Sequence, residues 1–195
     1  SRRLAAPATF AVATAADVTR ADVGNRREPR ACPTGFARMT SAILIVGATG
    51  GIGSALARRL SAGGASLFLT GRDEARLAAL GAEIGASYAV VDATDFSDMD
   101  RIGDRAHAEL GRIDGMVNCA GSLLLKPAHL TKSDEFHATI ATNLTTAFAV
   151  VRTAARLMTD GGAVVLCSSA AARIGLANHE AIGRASCRER VCYVV

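Results

Sequence analysis

The chain has 195 residues, half of them hydrophobic, and a net charge of +4. This length is enough for the core of one ordinary domain, and the absence of an apolar run near the roughly 20 residues that span a bilayer argues against a membrane protein. Residues 1–38 contribute +4 and residues 182–195 contribute +2, whereas residues 39–181 carry −2. Because the basic residues lie outside the patterned region, the sequence also argues against a nucleic-acid partner.

The two ends of the chain differ from its middle. Residues 1–38 have no sustained periodicity and Met39 opens a clean start, so we expect a disordered or non-native leader. An organelle transit peptide is the alternative, because the leader is rich in arginine. Residues 182–191 resemble a sequencing adapter translated in one frame. We therefore expect a partial domain over residues 39–181 and an artefactual tail over residues 182–195.

The first predicted strand, Ala42–Val46, leads into a glycine-rich turn and a helix over residues 54–62. Gly47, Gly51 and Gly53 let the backbone turn tightly and let phosphate oxygens approach it. The start of the helix then presents N–H groups and a partial positive charge to an anion. This order predicts a cradle for the pyrophosphate of a dinucleotide, and a tight turn without a ligand is the alternative.

Four further strands follow this turn, with amphipathic helices between them. The predicted strands are Ser66–Thr70, Tyr88–Val91, Met116–Val117 and Ala163–Cys167. The predicted inward helix faces are, in chain order, Ile52, Ala55, Leu56 and Leu60; Leu77, Leu80 and Ile84; Met99, Ile102, Ala106 and Leu110; and Phe136, Ile140, Leu144, Ala147 and Val151. Thr131, with Asp134 three residues later, predicts the cap of the last helix. The alternation predicts an α/β fold of the Rossmann type, a doubly wound parallel sheet in three α/β/α layers that is incomplete at the C-terminus.

Polar residues follow several of these strands, where ligands bind in such sheets. Arg72 follows the second strand and suits a phosphate, with a solvated surface arginine as the alternative. Asp92 follows the third strand, with a helix-capping carboxylate as the alternative. Asn118 ends the fourth strand, where a buried asparagine must find hydrogen-bond partners.

The glycine turn resembles that of the short-chain dehydrogenase/reductase family, whose motif is T-G-x-x-x-G-I-G. Gly47, Gly51, Ile52 and Gly53 match this motif, and Val46 stands in place of its threonine. The resemblance implies an NAD(P)-dependent oxidoreductase that moves hydride between nicotinamide and a carbonyl or alcohol carbon.

A second motif supports the same resemblance. The segment Asn118-Cys119-Ala120-Gly121 is similar to the family's N-N-A-G motif, with Cys119 in place of the second asparagine. The resemblance assigns Asn118, Ala120 and Gly121 to the cofactor site, because small residues there let the backbone approach the dinucleotide. It also matches Asp92 to the family residue that contacts adenine.

The residues after the second strand bear on the choice of cofactor. Gly71 stands where NAD-preferring members of the family usually carry an aspartate, and Arg72 follows it. An aspartate binds both ribose hydroxyls and repels a 2′-phosphate, whereas an arginine pairs with a phosphate. We therefore expect NADP as the cofactor, with NAD as the alternative.

Two residues match family positions that carry chemistry. Asn143 matches the asparagine of a proton relay, and Ser169 matches the serine that orients the substrate carbonyl or alcohol. The family's tyrosine and lysine would fall at Ile182 and Ser186, neither of which can replace them. We therefore expect the chain as written to be catalytically inactive, with its fifth strand left as an unpaired edge.

The remaining expectations concern partners and alternatives. The substrate is expected to be a small carbonyl or alcohol, and the full-length parent a homo-oligomer. The five cysteines and four histidines lack metal-ligand spacing, which predicts no metal site and favours a reduced, cytoplasmic setting. A non-catalytic dinucleotide-binding regulator or sensor is the alternative function. A sugar epimerase is a third, disfavoured by the glycine spacing and by the length of the chain.

Overall fold

The computed structural model describes residues 41–169, 171, 177–185 and 192–194. Its strands are β1 (Ala42–Val46), β2 (Ser66–Gly71), β3 (Ser87–Val90), β4 (Gly115–Asn118), β5 (Ala163–Leu166) and β6 (Cys192–Val194). Its α-helices are α1 (Gly51–Ala62), α2 (Glu74–Ile84), α3 (Phe96–Leu110), α4 (Ser133–Ile140), α5 (Thr146–Leu157) and α6 (Glu180–Ala185). A 3-10 turn at Ala128–Leu130 precedes α4, and a π-helical turn at Ala141–Thr145 joins α4 to α5. The leader expected over residues 1–38 lies outside the described residues.

The strands form one sheet in the order β3-β2-β1-β4-β5-β6. The first five strands of that order are parallel to their neighbours. Successive strands run outward from β1 to β3, and the chain then crosses to β4 on the other side of β1. The loops that follow β1 and β4 therefore diverge and open a crevice at this switch point. The predicted doubly wound parallel sheet is confirmed.

The last strand corrects one expectation. β6 pairs antiparallel with β5, with Val164 opposite Tyr193, so the predicted unpaired edge at β5 is wrong. Helix α6 continues from Glu180 to Ala185, across the expected domain boundary after residue 181. That residues 182–195 are artefactual stays a prediction.

The core lies in two clusters, one on each face of the sheet, because successive strand residues point to opposite faces. Leu44, Phe68 and Met116 face α3 and α5 and belong to one cluster. Ile45 and Leu69 face α1 and α2 and belong to the other. The three-layer α/β/α prediction is confirmed.

The inward face predicted for α1 is partly wrong: Leu56 and Leu60 pack against the core, but Ile52 and Ala55 are exposed. Gly53 and Ala57 are its buried residues, whereas Ile52 is 69% exposed. Small residues on the inner face let the helix approach the sheet closely: a Cβ on Gly53 would lie 2.3 Å from the carbonyl oxygen of Gly47. The helix also begins at Gly51, three residues before the predicted start, so its first turn contains two of the motif glycines.

The helix faces of α2 and α3 are confirmed, but that of α4 and α5 is confirmed only for Ala147, which is buried, and Val151, which packs against the core. Phe136 and Leu144 are 38% and 36% exposed rather than inward. The π-helical turn inserts an extra residue into one turn and rotates the inner face of α5. The buried residues of α5 are Thr146, Ala147, Ala149, Val150, Thr153 and Ala154.

The start of α4 lies one residue beyond the predicted cap. Lys132 takes the N-cap position, and its backbone N–H donates to Oε2 of Glu135 at 2.9 Å. Thr131 instead donates its hydroxyl back to the carbonyl of Pro127 at 3.0 Å. The sequence reading was wrong here because a threonine hydroxyl can bond the preceding turn as well as cap the next helix.

Candidate functional site

A cleft of about 280 Å³ lies beyond the carboxyl ends of β1, β2, β3 and β4. This is the switch point of the sheet, where ligands bind in folds of this kind. The predicted site residues that line it are Gly47, Arg72, Asp92, Ala120 and Gly121. The other predicted site residues are not among the described residues that line the cleft. They are Gly51, Ile52, Gly53, Asn118, Asn143 and Ser169.

Gly47 occupies a position that an L side chain would disrupt. Its φ is +79°, and a Cβ there would lie 2.5 Å from the backbone nitrogen of Ala120. Its N–H and that of Ala48 both donate to the carbonyl of Thr70, at 2.9 and 2.8 Å. The turn after β1 is thus held between the end of β2 and the loop after β4.

Gly51 differs from the other two motif glycines. A Cβ at Gly51 would meet no other described atom within 4 Å, so this glycine faces open space. Gly50 takes the N-cap position of α1 without a side chain to cap it, and within the described residues 51–54 the first turn carries no acidic side chain. The positive end of the helix is therefore open to an anion.

The turn after β2 brings two arginines to the cleft. Arg72 and Arg76 both line it, and both are exposed. Asp73 lies between them, but its Oδ1 accepts the backbone N–H of Arg76 at 3.0 Å and so caps α2. Arg76 was not predicted from the sequence.

Gly71 leaves space that another residue fills. It is buried, and a Cβ there would lie 3.2 Å from Oγ1 of Thr49. Thr49 therefore occupies the region into which an aspartate at position 71 would project. Thr49 also lines the cleft and was not predicted.

Asp92 is held by Thr94 at the rim of the cleft. Its Oδ1 accepts the hydroxyl of Thr94 at 2.7 Å and the N–H of the same residue at 3.0 Å. These bonds hold the pKa of Asp92 below its usual value, and the charge of Arg72 lowers it further. The helix-capping alternative is wrong, because Asp95 caps α3.

Asn118 is buried at the end of β4 and hydrogen-bonds the loop that follows. It is 2% exposed; its Nδ2 donates to Oγ1 of Thr146 at 3.2 Å, and its Oδ1 accepts the N–H of Ala120 at 3.1 Å. The expectation that this buried asparagine finds partners is confirmed. Its side chain fixes the loop backbone that lines the cleft.

Asn143 lies in the π-helical turn and joins it to the loop after β4. Its Nδ2 lies 2.9 Å from the carbonyl of Thr139 and 3.1 Å from Oγ of Ser122. Its Oδ1 accepts the N–H of Ser122 at 3.2 Å. Ser122 was missed, since a serine next to a glycine in a loop gives no signal of its own.

The segment after β5 carries the predicted Ser169. Oγ of Ser169 accepts the N–H of Ala171 at 3.2 Å. Ile182 lies on α6 and is 4% exposed, and Ser186 lies outside the described residues. Residue 182 thus presents a buried aliphatic side chain.

Neither a cluster of metal-ligating side chains nor a helix suited to span a membrane is found in the described part of the chain. Within it, no three His, Cys, Asp or Glu side chains are grouped so that they could hold a metal ion. None of its helices combines the length and apolar character that a membrane crossing requires.

The fold has many counterparts among known proteins. Residues 41–182 match the family model described as short chain dehydrogenase. A D-threitol dehydrogenase from Mycolicibacterium smegmatis is 34% identical over 145 residues, which cover 71% of this chain and 56% of that protein. An uncharacterised oxidoreductase from Mycobacterium tuberculosis is 35% identical over 146 residues, or 72% of this chain and 54% of that protein.

Solved structures of short-chain dehydrogenases superpose on this fold as well. A short-chain type dehydrogenase/reductase from Mycobacterium ulcerans superposes with a TM-score of 0.71 at 30% identity, covering 74% of this chain and 57% of that one. A short-chain dehydrogenase from Streptomyces avermitilis gives 0.72 at 25% identity, covering 76% and 56%. The chain spans about half the length of the curated relatives that it matches.

Proposed function

Since the chain belongs to the short-chain dehydrogenase family, we propose that it holds the dinucleotide of an oxidoreductase that uses NADP to exchange hydride with a small carbonyl or alcohol. The observation that carries this proposal is the open start of α1 at Gly51, placed beside the switch-point cleft by the contact of Gly47 with the loop after β4. A ligand with a pyrophosphate suits that arrangement.

The pyrophosphate would lie against the first turn of α1. Backbone N–H groups at a helix start bind anions, and the helix dipole favours them. Gly51 leaves open space where a side chain would obstruct the approach, whereas Gly47 and Gly53 are needed for backbone packing. The two kinds of glycine together make a rigid turn with one accessible face.

The adenosine end would lie over the turn after β2. Arg72 and Arg76 supply two cations there, and the carboxylate of Asp73 is engaged by the start of α2. A guanidinium pairs with a phosphate through two parallel hydrogen bonds. These features favour NADP over NAD. Asp92, kept ionised by Thr94, would accept hydrogen bonds from adenine.

The reaction centre would lie at the other end of the dinucleotide. The bound nicotinamide supplies the carbon that gives or takes hydride. Ser169 would hold the substrate oxygen through its hydroxyl, and Asn143 would fix the π-helical turn next to the loop after β4. Ile182 carries no exchangeable proton, so we propose that this chain binds dinucleotide without turning over substrate.

A regulator or sensor that binds dinucleotide without catalysis is the second candidate, and the buried Ile182 favours it. The double variant Ile182→Tyr, Ser186→Lys distinguishes the two functions. Carbonyl reduction by the folded double variant with NADPH supports an enzyme. Dinucleotide binding without reduction of any carbonyl in a broad panel supports the regulator.

Calorimetric titration tests the proposed cofactor. We expect the chain to bind NADP more tightly than NAD, and Arg72→Ala to remove that preference while leaving the affinity for NAD unchanged. Equal affinity of the unaltered chain for both dinucleotides would contradict the choice of NADP. Absence of binding of either one to a folded sample would contradict the function itself.

The setting and assembly of the protein are proposals as well. Cys119 and Cys167 are both free thiols, which suits a reducing compartment such as the cytoplasm. Phe148 on α5 is 57% exposed, and such a ring suits contact with a second copy of the chain.

A further inference from the structure

Two cysteines lie side by side after β4 and β5, and one of them, Cys119, lines the cleft. The parallel register of β4 and β5 places Asn118 opposite Leu166, so Cys119 and Cys167 are the next pair in line. The N–H of Cys167 donates to the carbonyl of Asn118 at 3.4 Å, which continues the ladder to this pair. Neighbouring strands are about 4.8 Å apart, within the Cα separation of about 4.4–6.8 Å that a disulfide spans.

The two thiols have different surroundings. Cys167 is exposed, whereas Cys119 is half-buried and lines the cleft. Burial, followed by the charge and the hydrogen bond of Cys167, raises the pKa of Cys119 to about 12. The exposed thiol is therefore the one that meets an oxidant first, and the buried one stays protonated beside it.

Cys119 is also tied to the glycine turn. Its N–H donates to the carbonyl of Val46 at 2.7 Å, immediately before Gly47. A Cβ on Gly47 would lie 2.8 Å from the carbonyl carbon of Cys119. A displacement of Cys119 toward β5 would therefore withdraw the wall against which the glycine turn packs.

We propose that Cys119 and Cys167 form a redox modification site: a peroxide oxidises them to an intramolecular disulfide across the ends of β4 and β5, and this bond weakens dinucleotide binding. The second half of the proposal rests on the proposed function, and the first half does not.

The chemistry balances with hydrogen peroxide as the oxidant. The Cys167 sulfur attacks one peroxide oxygen; an S–O bond forms, the O–O bond breaks, and one water leaves. The Cys119 sulfur then attacks the sulfenic sulfur; the S–S bond forms, the S–O bond breaks, and a second water leaves. Each sulfur loses one electron, the peroxide gains two, and the thiol protons end in water.

Peptide mapping of the full chain tests the bond itself. Trypsin releases residues 113–132 and 157–173, each with one cysteine of the pair. The chain is treated with hydrogen peroxide in a background in which Cys32, Cys187 and Cys192 are serine. We expect these two peptides to be joined and to separate on addition of dithiothreitol. Oxidation of Cys167 to sulfinic acid without a joined peptide, or no oxidation of either residue, would overturn the proposal.

Calorimetry of the reduced and oxidised samples tests the coupling to the cleft. We expect oxidation to weaken NADP binding about tenfold, within the usual range for coupled sites, and dithiothreitol to restore it. Cys167→Ser, which removes the thiol outside the cleft, and Cys119→Asn, which introduces the amide that the family carries there, should each make binding insensitive to peroxide. A joined peptide with unchanged affinity would overturn the coupling. A reduced chain that does not bind NADP would contradict the proposed function, and the peptide map would still decide the disulfide.

Discussion

The turn after β1 is fixed by backbone contacts, whereas the turn after β2 presents charged side chains to the same cleft. Gly47 and Gly53 pack directly against backbone atoms, at positions where a Cβ would lie 2.5 and 2.3 Å from its neighbours. Arg72 and Arg76 are exposed and line the cleft. The first turn can therefore select a ligand by shape and backbone N–H groups, and the second by charge.

This difference predicts opposite responses to substitution. Changes in the turn after β1 should alter the stability of the fold, and changes in the turn after β2 should alter the choice of ligand. The four predictions below run from the largest expected effect to the smallest.

Gly47→Ala should have the largest effect. A left-handed φ with an added Cβ, together with the close approach of Ala120, should reduce the free energy of unfolding by about 3 kcal/mol. Gly51→Ala is the matched control: it should leave that free energy nearly unchanged but weaken NADP binding. Urea unfolding measures the first effect and calorimetry the second. Equal destabilisation by the two substitutions would contradict the different roles assigned to Gly47 and Gly51.

Asn118→Ala extends the test to the loop on which Gly47 rests. The change leaves the N–H of Ala120 without its acceptor and removes the amide that donates to Oγ1 of Thr146, which should lower the free energy of unfolding by about 2 kcal/mol. Thr146→Val, which leaves the bond between Asn118 and Ala120 in place, should have a smaller effect in the same urea experiment. If both variants unfold like the unaltered chain, Asn118 does not brace the loop.

Arg72→Ala should change ligand preference without changing stability. Loss of a charge-assisted contact with the 2′-phosphate should weaken NADP binding about tenfold and leave NAD binding as it was. Arg76→Ala should produce a smaller loss in the same direction, and Arg72→Lys should retain part of the preference because it keeps the charge. An equal loss for both dinucleotides would assign Arg72 a structural role.

The smallest effect concerns the pH dependence conferred by Asp92. Because its hydrogen bonds with Thr94 lower its folded-state pKa, this carboxylate stabilises the fold above its ordinary pKa of 3.8, and the contribution is lost as the pH falls through the lowered value. Thr94→Ala should therefore lower the Tm at neutral pH, and the difference from the unaltered chain should vanish in strong acid. A difference that grows on acidification would contradict this assignment.

The sequence predicted the alternation of strands and helices and the position of the cleft at the carboxyl ends of the strands, because both follow from short-range patterns. The separate roles of Gly47, Gly51 and Gly53 were not predictable, since they depend on what a Cβ at each position would meet. Gly47 packs against a loop about 70 residues away along the chain, Gly53 against the carbonyl of Gly47, and Gly51 faces open space. The exposure of Ile52 was missed for a related reason. Helix α1 has Gly53 and Ala57 as its buried residues, and Ile52 is exposed to solvent.

The π-helical turn explains the other main error. Apolar residues recur with regular helical spacing from Phe136 to Val151, and this spacing carries no sign of an inserted residue. Asn143 in that turn bonds Ser122, a tertiary contact that local periodicity does not encode. The sequence thus predicted that Asn143 matters but not the loop that it holds.

The central claim is that a pyrophosphate rests against the first turn of α1. The most direct test is a titration of the ¹⁵N-labelled chain with NADP, followed through its backbone amide resonances. We predict that the signals of Gly51 and Ile52 shift with increasing NADP, while that of Gly64, beyond the far end of the same helix, stays in place. A folded chain in which NADP leaves the amides of Gly51 and Ile52 unmoved would contradict the account.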